Sequence, residues 1–333
     1  MDSNFLKFAG NISFLKKIVS KRIMSDIFVK KEAVGEFGKR PEERTTEELV
    51  NYGIVNIDKQ KGPTSHQISD YVKKILHLNK AGHSGTLDPG VTGVQPVAFG
   101  KATRITQFLL TAPKEYVCIM HLHKPVEEEK LNETIKLFMG KIQQLPPIKS
   151  AVKRQLRTRE IYDFEIIENK NQDVLFRVKC QAGTYIRKLC HDIGQELKTG
   201  AHMVELRRTQ AGPFREEDNL TTLNDLNDAY HYYTEEGNDK LLRYCLQPPE
   251  NALKYLSKCW IFDTTIKSLT NGRDLGIPGI SKLANFRKGE TVAIVTLKDE
   301  LVAIGEALMS AVEINTKEKG LAIKIQKVFM TAQ

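Results

Sequence analysis

Pairable cysteine, tryptophan and long apolar stretches are what this sequence has least of. Its five cysteines, Cys118, Cys180, Cys190, Cys245 and Cys259, are odd in number and form no Cys-x-x-Cys pair. That argues against a disulfide framework and suits buried or incidental thiols of a reducing compartment. No apolar run reaches the roughly 18 residues that a membrane span needs, so the chain is expected to be soluble and cytoplasmic, with no membrane partner. No internal repeat or low-complexity tract is evident. Two familiar catalytic signatures also fail. Around Gly100-Lys101 the spacing of a phosphate loop is missing, because Gly93 comes too early and Ala102 follows the lysine. In Gly82-His83-Ser84-Gly85-Thr86, Thr86 occupies the position where a serine nucleophile elbow has its second glycine.

What the chain has in excess is positive charge: 50 Lys and Arg against 41 Asp and Glu leave a net charge of +9. A polyanionic partner follows, although charge alone does not separate nucleic acid from an anionic surface. With 333 residues, two domains are the prior expectation. Residues 1–23 mix apolar and lysine positions without the unbroken apolar core or small-residue cleavage site of a signal peptide. An organellar transit helix and a true start at Met24 are the alternatives. The mixed-charge stretch 25–49 suits an extended arm or linker, so residues 1–49 are expected to form an N-terminal extension.

From residue 50 onward the patterning becomes regular. Tyr52 to Lys59 alternates as a strand that Gly62-Pro63 ends, and Thr64 or Ser65 can cap a helix carrying Ile68, Tyr71, Val72, Ile75 and Leu76 at helical spacing. Strands are expected at 93–99 and 114–123, a helix around 131–139, two strands within 162–181 joined by Asn169-Lys170-Asn171, and a helix opening at Gly183-Thr184-Tyr185-Ile186-Arg187. Between Lys149 and Arg159 stand Lys149, Lys153, Arg154, Arg157 and Arg159 with no acidic residue among them. A solvated charged face normally mixes signs, so this segment is the candidate phosphate-tracking element. Past Gln247-Pro248-Pro249, short apolar runs at 292–295, 301–307 and 320–325 with glycine turns suggest a second, small barrel domain over about residues 250–330.

The most concentrated chemistry lies in Gly82-His83-Ser84-Gly85-Thr86-Leu87-Asp88-Pro89. Taken alone, Asp before Pro in a glycine-rich loop is usually only a turn. The octet follows Gly62-Pro63-Thr64-Ser65-His66, and it precedes Ala182-Gly183-Thr184-Tyr185-Ile186-Arg187 and Leu206-Arg207-Arg208-Thr209. In that order and spelling, from about Gly53 to Phe214, the four blocks resemble the TruB and dyskerin family of RNA pseudouridine synthases.

The resemblance implies an α+β fold with a mixed, largely antiparallel central sheet flanked by helices over residues 50–247. It also implies a C-terminal PUA domain, a small β-barrel, over 250–330. It implies isomerisation of uridine to pseudouridine in rRNA or tRNA. The N-glycosidic bond is broken, the uracil turns and rejoins the ribose through carbon five, so nothing is oxidised or hydrolysed overall and no metal or cofactor is required. Carried onto this chain, Asp88 stands at the nucleophilic aspartate, Tyr116 at the aromatic that stacks on the flipped base, and Arg187 at the arginine paired with the aspartate. Tyr185 and Leu206 match the pocket wall, and His83 the residue that helps extrude the nucleotide. Lys59 and His66 are candidates for RNA contact or site support. Gln60 and Gln95 depart from the family spelling, which has proline and leucine there, and are expected to loosen the loop holding Asp88. The segment Ser150 to Arg159 and the short passage after His123 resemble the archaeal-type H/ACA branch. That branch implies a guide RNA and small partner proteins, with the TΨC-loop uridine of tRNA as a target reached without a guide. Two other readings compete: an RNA-binding scaffold that has lost turnover, and a metal-dependent hydrolase using His121, His123 and Asp88.

Overall fold

In a computed structural model the described residues are 27–146 and 153–330; the leader with Met24, and Lys149, fall outside them. These residues form two compact units, one of residues 42–255 and one of residues 27–41 with 256–330.

The smaller unit begins with β1 (Ile27–Val29). The larger unit runs α1 (Thr46–Asn51), β2 (Tyr52–Lys59), α2 (Ser65–Ile75), β3 (Ala81–His83), β4 (Thr92–Gly100), α3 (Thr106–Thr111), β5 (Lys114–Leu122), α4 (Glu128–Leu137) and β6 (Gly140–Gln144). It continues with β7 (Arg157–Lys170), β8 (Asp173–Cys180), α5 (Ile186–Glu196), β9 (Ala201–Ala211), β10 (Phe214–Arg215), α6 (Leu223–Glu236), α7 (Lys240–Cys245) and β11 (Leu246–Gln247). Its sheet has the order β11-β2-β4-β9-β5-β8-β7-β6, with β3 on β4 and β10 on β9. Every pairing within this sheet is antiparallel except β4 with β9, where Thr92 and Gly93 lie beside Arg207 and Arg208. That mixed, largely antiparallel sheet flanked by helices is the α+β architecture expected.

Alternation along β8 buries Val174, Phe176, Val178 and Cys180, and α5 contributes Ile186, Leu189, Cys190, Ile193 and Leu197 to the same core. On the other side of the unit, Ile68, Val72 and Leu76 of α2 and its C-terminal end pack with Val55, Ile57, Val97 and Leu226. Apolar burial of this kind, roughly 25 cal/mol per Å² removed from water, is what holds helices to the sheet. Thr64 caps α2, and the Gln67 side chain accepts from the Thr64 backbone N–H, closing a capping box.

Within the stretch expected to be an arm, the described residues 27–49 carry regular structure. Ile27–Val29 pairs antiparallel with Lys282–Ala284, and Thr45 caps α1 through a capping box with Glu48. Pairing with an edge some 250 residues away leaves no local trace, so composition alone read this stretch as linker. Within the larger unit, Arg44 forms two hydrogen bonds to Glu250, at 2.6 and 2.8 Å, which fastens residues beyond 247 to this unit.

The smaller unit adds β12 (Ser257–Ile261), α8 (Asp263–Thr270), β13 (Leu275–Gly276), β14 (Ile280–Ala284), β15 (Thr291–Val295), β16 (Leu301–Ala307), α9 (Ala311–Thr316) and β17 (Leu321–Val328). Its sheet order is β1-β14-β12-β15-β16-β17-β13, around a core that includes Ile261, Leu283, Ile294, Val302 and Ile323. The short apolar runs expected as strands are β15, β16 and β17.

Candidate active site

Asp88 lies on the loop between β3 and β4 and is held there by its neighbours. Leu87 and Val91, 4% and 3% exposed, are sunk in the core beside Leu206, so the segment between them is pushed outward. Asp88 itself is exposed. The loop is pinned from below by a buried lysine: Lys59 Nζ donates to the carbonyls of Gln60, Pro89 and Val91 at 3.0, 3.2 and 2.7 Å. Burial pushes the Lys59 ammonium below its usual range, with Arg208 adding to the effect and Asp88 opposing it. Ser65, at the start of α2, accepts from Leu87 N–H at 2.8 Å and donates to the Leu87 carbonyl at 3.2 Å. Gln95 is fully buried and donates to the Ser65 carbonyl at 3.0 Å, while its Oε1 has no partner. Gln95 therefore ties the loop's support together, contrary to the expected loosening. Gln60 is exposed and contributes its backbone carbonyl.

Two glycines are required where they stand. Gly85 has φ +129°, and a Cβ there would lie 3.8 Å from the Arg208 guanidinium. Gly93 has φ +105°, and a Cβ would sit 2.2 Å from the Arg208 carbonyl oxygen, so the β4–β9 junction admits only glycine. Gly82, in the same octet, does not have positive φ.

Arg187 reaches Asp88 from the first turn of α5. Its Nη2 donates to Asp88 Oδ2 at 2.7 Å, with the two side chains 58% and 57% exposed. An exposed pair of this kind contributes about 0–1 kcal/mol by itself, so its geometry depends on the two backbones that carry it. Tyr116, on β5, is paired in register with Arg208 on β9 and packs against the core that holds Leu87, Val91 and Leu206. Burial pushes the Tyr116 phenol up, the Arg208 guanidinium opposes this, and Asp88 is near enough for its charge to add to the rise. Asp88 and Arg187 are thus in direct contact, and Tyr116, beside Arg208, lies within range of the Asp88 charge. Leu206 is buried in the same core as Leu87 and Val91, and Tyr185, the residue before α5, is half-buried.

His83 Nδ1 accepts from Gly85 N–H at 3.3 Å, and its ring meets that of His66 edge to face at 4.7 Å. Burial, then the charges of His66 and Arg208, push His83 down to about 4, so it is neutral at physiological pH. Both histidines therefore border the loop that carries Asp88.

Residues that sequence reasoning passed over complete the floor. Arg208, 1% exposed, donates to the Val94 carbonyl at 2.7 Å and to the Gly85 carbonyl at 3.4 and 3.5 Å. Lys114, 5% exposed, donates to the carbonyls of Leu109, Leu110 and Ala112 at the end of α3, and burial followed by Arg208 pushes its ammonium down to about 7. Gln144 clamps Tyr185. The only sequence sign for Arg208 was its place in the Leu206-Arg207-Arg208-Thr209 block; buried lysine and arginine are otherwise too rare to expect.

The basic segment divides. Lys153 and Arg154 are exposed ahead of β7. Arg157 Nη2 reaches the Lys153 carbonyl at 3.4 Å, and Arg159 donates to the carbonyls of Gly183 and Thr158 at 3.1 and 2.7 Å. Arg159 thereby braces the turn before α5. The histidines weighed for a metal are committed elsewhere: His121 bonds Asp173 at 2.7 Å and His123 bonds His202 at 2.9 Å. Among the described residues no three His, Cys, Asp or Glu are grouped to hold a metal ion.

The chain is similar to known proteins over nearly all of its length. Residues 73–186 match the N-terminal domain of TruB family pseudouridylate synthase, 187–254 the tRNA pseudouridylate synthase B C-terminal domain, 257–329 a PUA domain and 24–69 the DKCLD domain. The chain is 50% identical over 320 residues to a probable tRNA pseudouridine synthase B of Pyrococcus furiosus, covering 95% of this chain and 94% of that one. It is 51% identical over 311 residues to that of Methanothermobacter thermautotrophicus, covering 92% and 96%. Among solved structures it is similar to the chain matched in a Cbf5-Nop10-Gar1 complex, with TM-score 0.88, 50% identity and coverage of 93% and 95%. It is also similar to one in an H/ACA RNP bound to a substrate RNA containing 2'-deoxyuridine, with TM-score 0.86, 48% identity and coverage of 93% and 96%.

Proposed function

Since the chain belongs to the TruB family of pseudouridine synthases, we propose that Asp88 is the residue through which it isomerises uridine in RNA. The observation that carries this reading is the exposed Asp88–Arg187 pair, on a loop anchored by Lys59 and Ser65. The Asp88 carboxylate attacks a uridine flipped out of its strand, giving a covalent intermediate in which the glycosidic bond has been broken. Arg187 orients the attacking oxygen, and the Tyr116 ring stacks on the detached uracil while it turns. Carbon five then bonds to the ribose as the Asp88–ribose bond breaks and the carboxylate is restored; the proton lost from carbon five passes through the Tyr116 hydroxyl, which gives its own proton on to solvent, and N1 takes one up. Tyr185 and Leu206 shape the pocket wall, and His83 and His66 border the path of the extruded nucleotide.

Lys153 and Arg154, with Lys149, follow the RNA backbone, and the PUA domain adds further backbone contact. By analogy with the complexes to which its fold is similar, the chain works with an H/ACA-type guide RNA and small proteins of the Nop10 and Gar1 kind. The names of its relatives support tRNA as a second substrate. Five buried free thiols fit a cytoplasmic setting.

The test is release of tritium from RNA labelled at uracil carbon five, offered as a tRNA transcript and as a guided substrate with the partner proteins. Isomerisation releases tritium and leaves the uracil attached to RNA; appearance of free uracil would mean hydrolysis, and no release from either substrate would support the scaffold reading.

A further inference from the structure

Arg187 owes its position to the start of α5, and the start of α5 is gripped by a side chain from another strand. Gln144, the last residue of β6, is 2% exposed. Its Oε1 accepts from Tyr185 N–H at 2.9 Å, and its Nε2 donates to the Tyr185 carbonyl at 3.2 Å. Tyr185 is the extended residue from which α5 springs, with φ −95° and ψ 101°, and makes no side-chain cap hydrogen bond. Its carbonyl also receives the first helical bond, from Leu189 N–H at 3.0 Å. One buried amide, 41 positions away in sequence, therefore satisfies both backbone polar groups of the residue that aims the helix.

We propose that Gln144 is a positioning residue for the reaction: its carboxamide fixes Tyr185 and the first turn of α5, and through them the approach of Arg187 to Asp88. The inference rests on the reading that Asp88 attacks with Arg187 beside it. Three observations carry it. The Arg187–Asp88 pair is more than half exposed on both sides and cannot hold its own geometry. Asp88's side has dedicated anchors in Lys59 and Ser65, and Gln144 supplies the equivalent for Arg187, seconded by Arg159 on the Gly183 carbonyl. Finally, the acceptor and the donor of this one buried side chain both meet the residue from which α5 springs, so their loss falls on the turn that carries Arg187.

The test uses the full chain with the RNA it converts. Gln144→Met keeps the volume and loses both bonds. Gln144→Glu keeps the acceptor and, when protonated, regains a donor in the same place. The expected result for Gln144→Met is a fall in kcat of roughly 10- to 100-fold, with KM for RNA within about twofold of wild type, because Gln144 is shielded from RNA. For Gln144→Glu, the ratio of its kcat to the wild-type value should rise as pH falls, a recovery that a merely structural role does not produce. Equal kcat in wild type and Gln144→Met would overturn the inference, as would losses that only follow the folded fraction measured in urea. Asp88→Asn, run alongside, separates the levels. If Asp88→Asn is active, the reading underneath fails; if it is inactive while Gln144→Met is fully active, only the positioning role of Gln144 falls.

Discussion

Replacing Lys59 with methionine removes a side chain that ties the end of β2 to the exit of the Asp88 loop. In the folded chain its ammonium is fully buried and donates to the Gln60, Pro89 and Val91 carbonyls, the last at 2.7 Å. Methionine fills much of the volume and donates nothing. The Pro89 carbonyl keeps a second donor, Gly62 N–H at 3.0 Å, so the cost falls on the other two. Each carbonyl left without a donor costs about 1–3 kcal/mol, and loss of the buried cation's own desolvation penalty offsets part of that. A net destabilisation of about 2–4 kcal/mol follows. For a unit of residues 42–255, that corresponds to a fall in Tm of roughly 5–15 °C. The assay is thermal unfolding followed by circular dichroism, repeated in urea to confirm that the slope is unchanged. The same variant should lose kcat at temperatures where it is still folded, because Pro89 and Val91 flank Asp88. A Tm within about 1 °C of wild type would show that these carbonyls are satisfied some other way, and the reasoning about the loop would be wrong.

Gly93→Ala should be severely destabilising, since its Cβ would lie 2.2 Å from the Arg208 carbonyl at φ +105°; urea denaturation checks this, and a change under about 1 kcal/mol would contradict it. Lys114 is lowered from its usual 10.5 to about 7 in the fold. The unfolded chain therefore binds the proton more tightly, and the stabilising contribution present above pH 10.5 is lost as pH falls toward 7. Urea unfolding from pH 7 to 10 should show stability rising more steeply in wild type than in Lys114→Met, and parallel curves would refute the assignment. Replacing exposed Lys153 and Arg154 with alanine should weaken RNA binding and reduce the slope of log affinity against log salt by about one for each phosphate no longer neutralised. An unchanged slope in binding titrations would remove them from the RNA path.

Much of this architecture could be read from residue order. The alternating run at 52–59 and the strand-like runs at 114–123 and 301–307 are strands β2, β5 and β16, and the Thr64 cap with its apolar stripe is α2. The four blocks carrying the family likeness supply Asp88, Arg187 and the strand that ends in Arg208 to Ala211. Two kinds of feature were hidden. One is pairing between residues far apart in the chain, such as Ile27–Val29 on β14 or Arg44 on Glu250, for which no local pattern exists. The other is the buried cation satisfied by carbonyls. Lys59, Lys114 and Arg208 look like surface residues by composition, and only the fold shows that backbone oxygens surround them. The cap of α1 does have a local signal, because Thr45-Thr46-Glu47-Glu48 spells a capping box.

The central claim is that one carboxylate does the bond-making, and exchanging a single oxygen of it for nitrogen addresses that claim directly. Asp88→Asn keeps the shape of the side chain and removes its charge and nucleophilicity. Pseudouridine formed on RNA by wild type and by Asp88→Asn, measured at equal folded concentration, should fall from full conversion to none, with RNA binding retained. Pseudouridine formed by the variant at the wild-type rate would contradict the account.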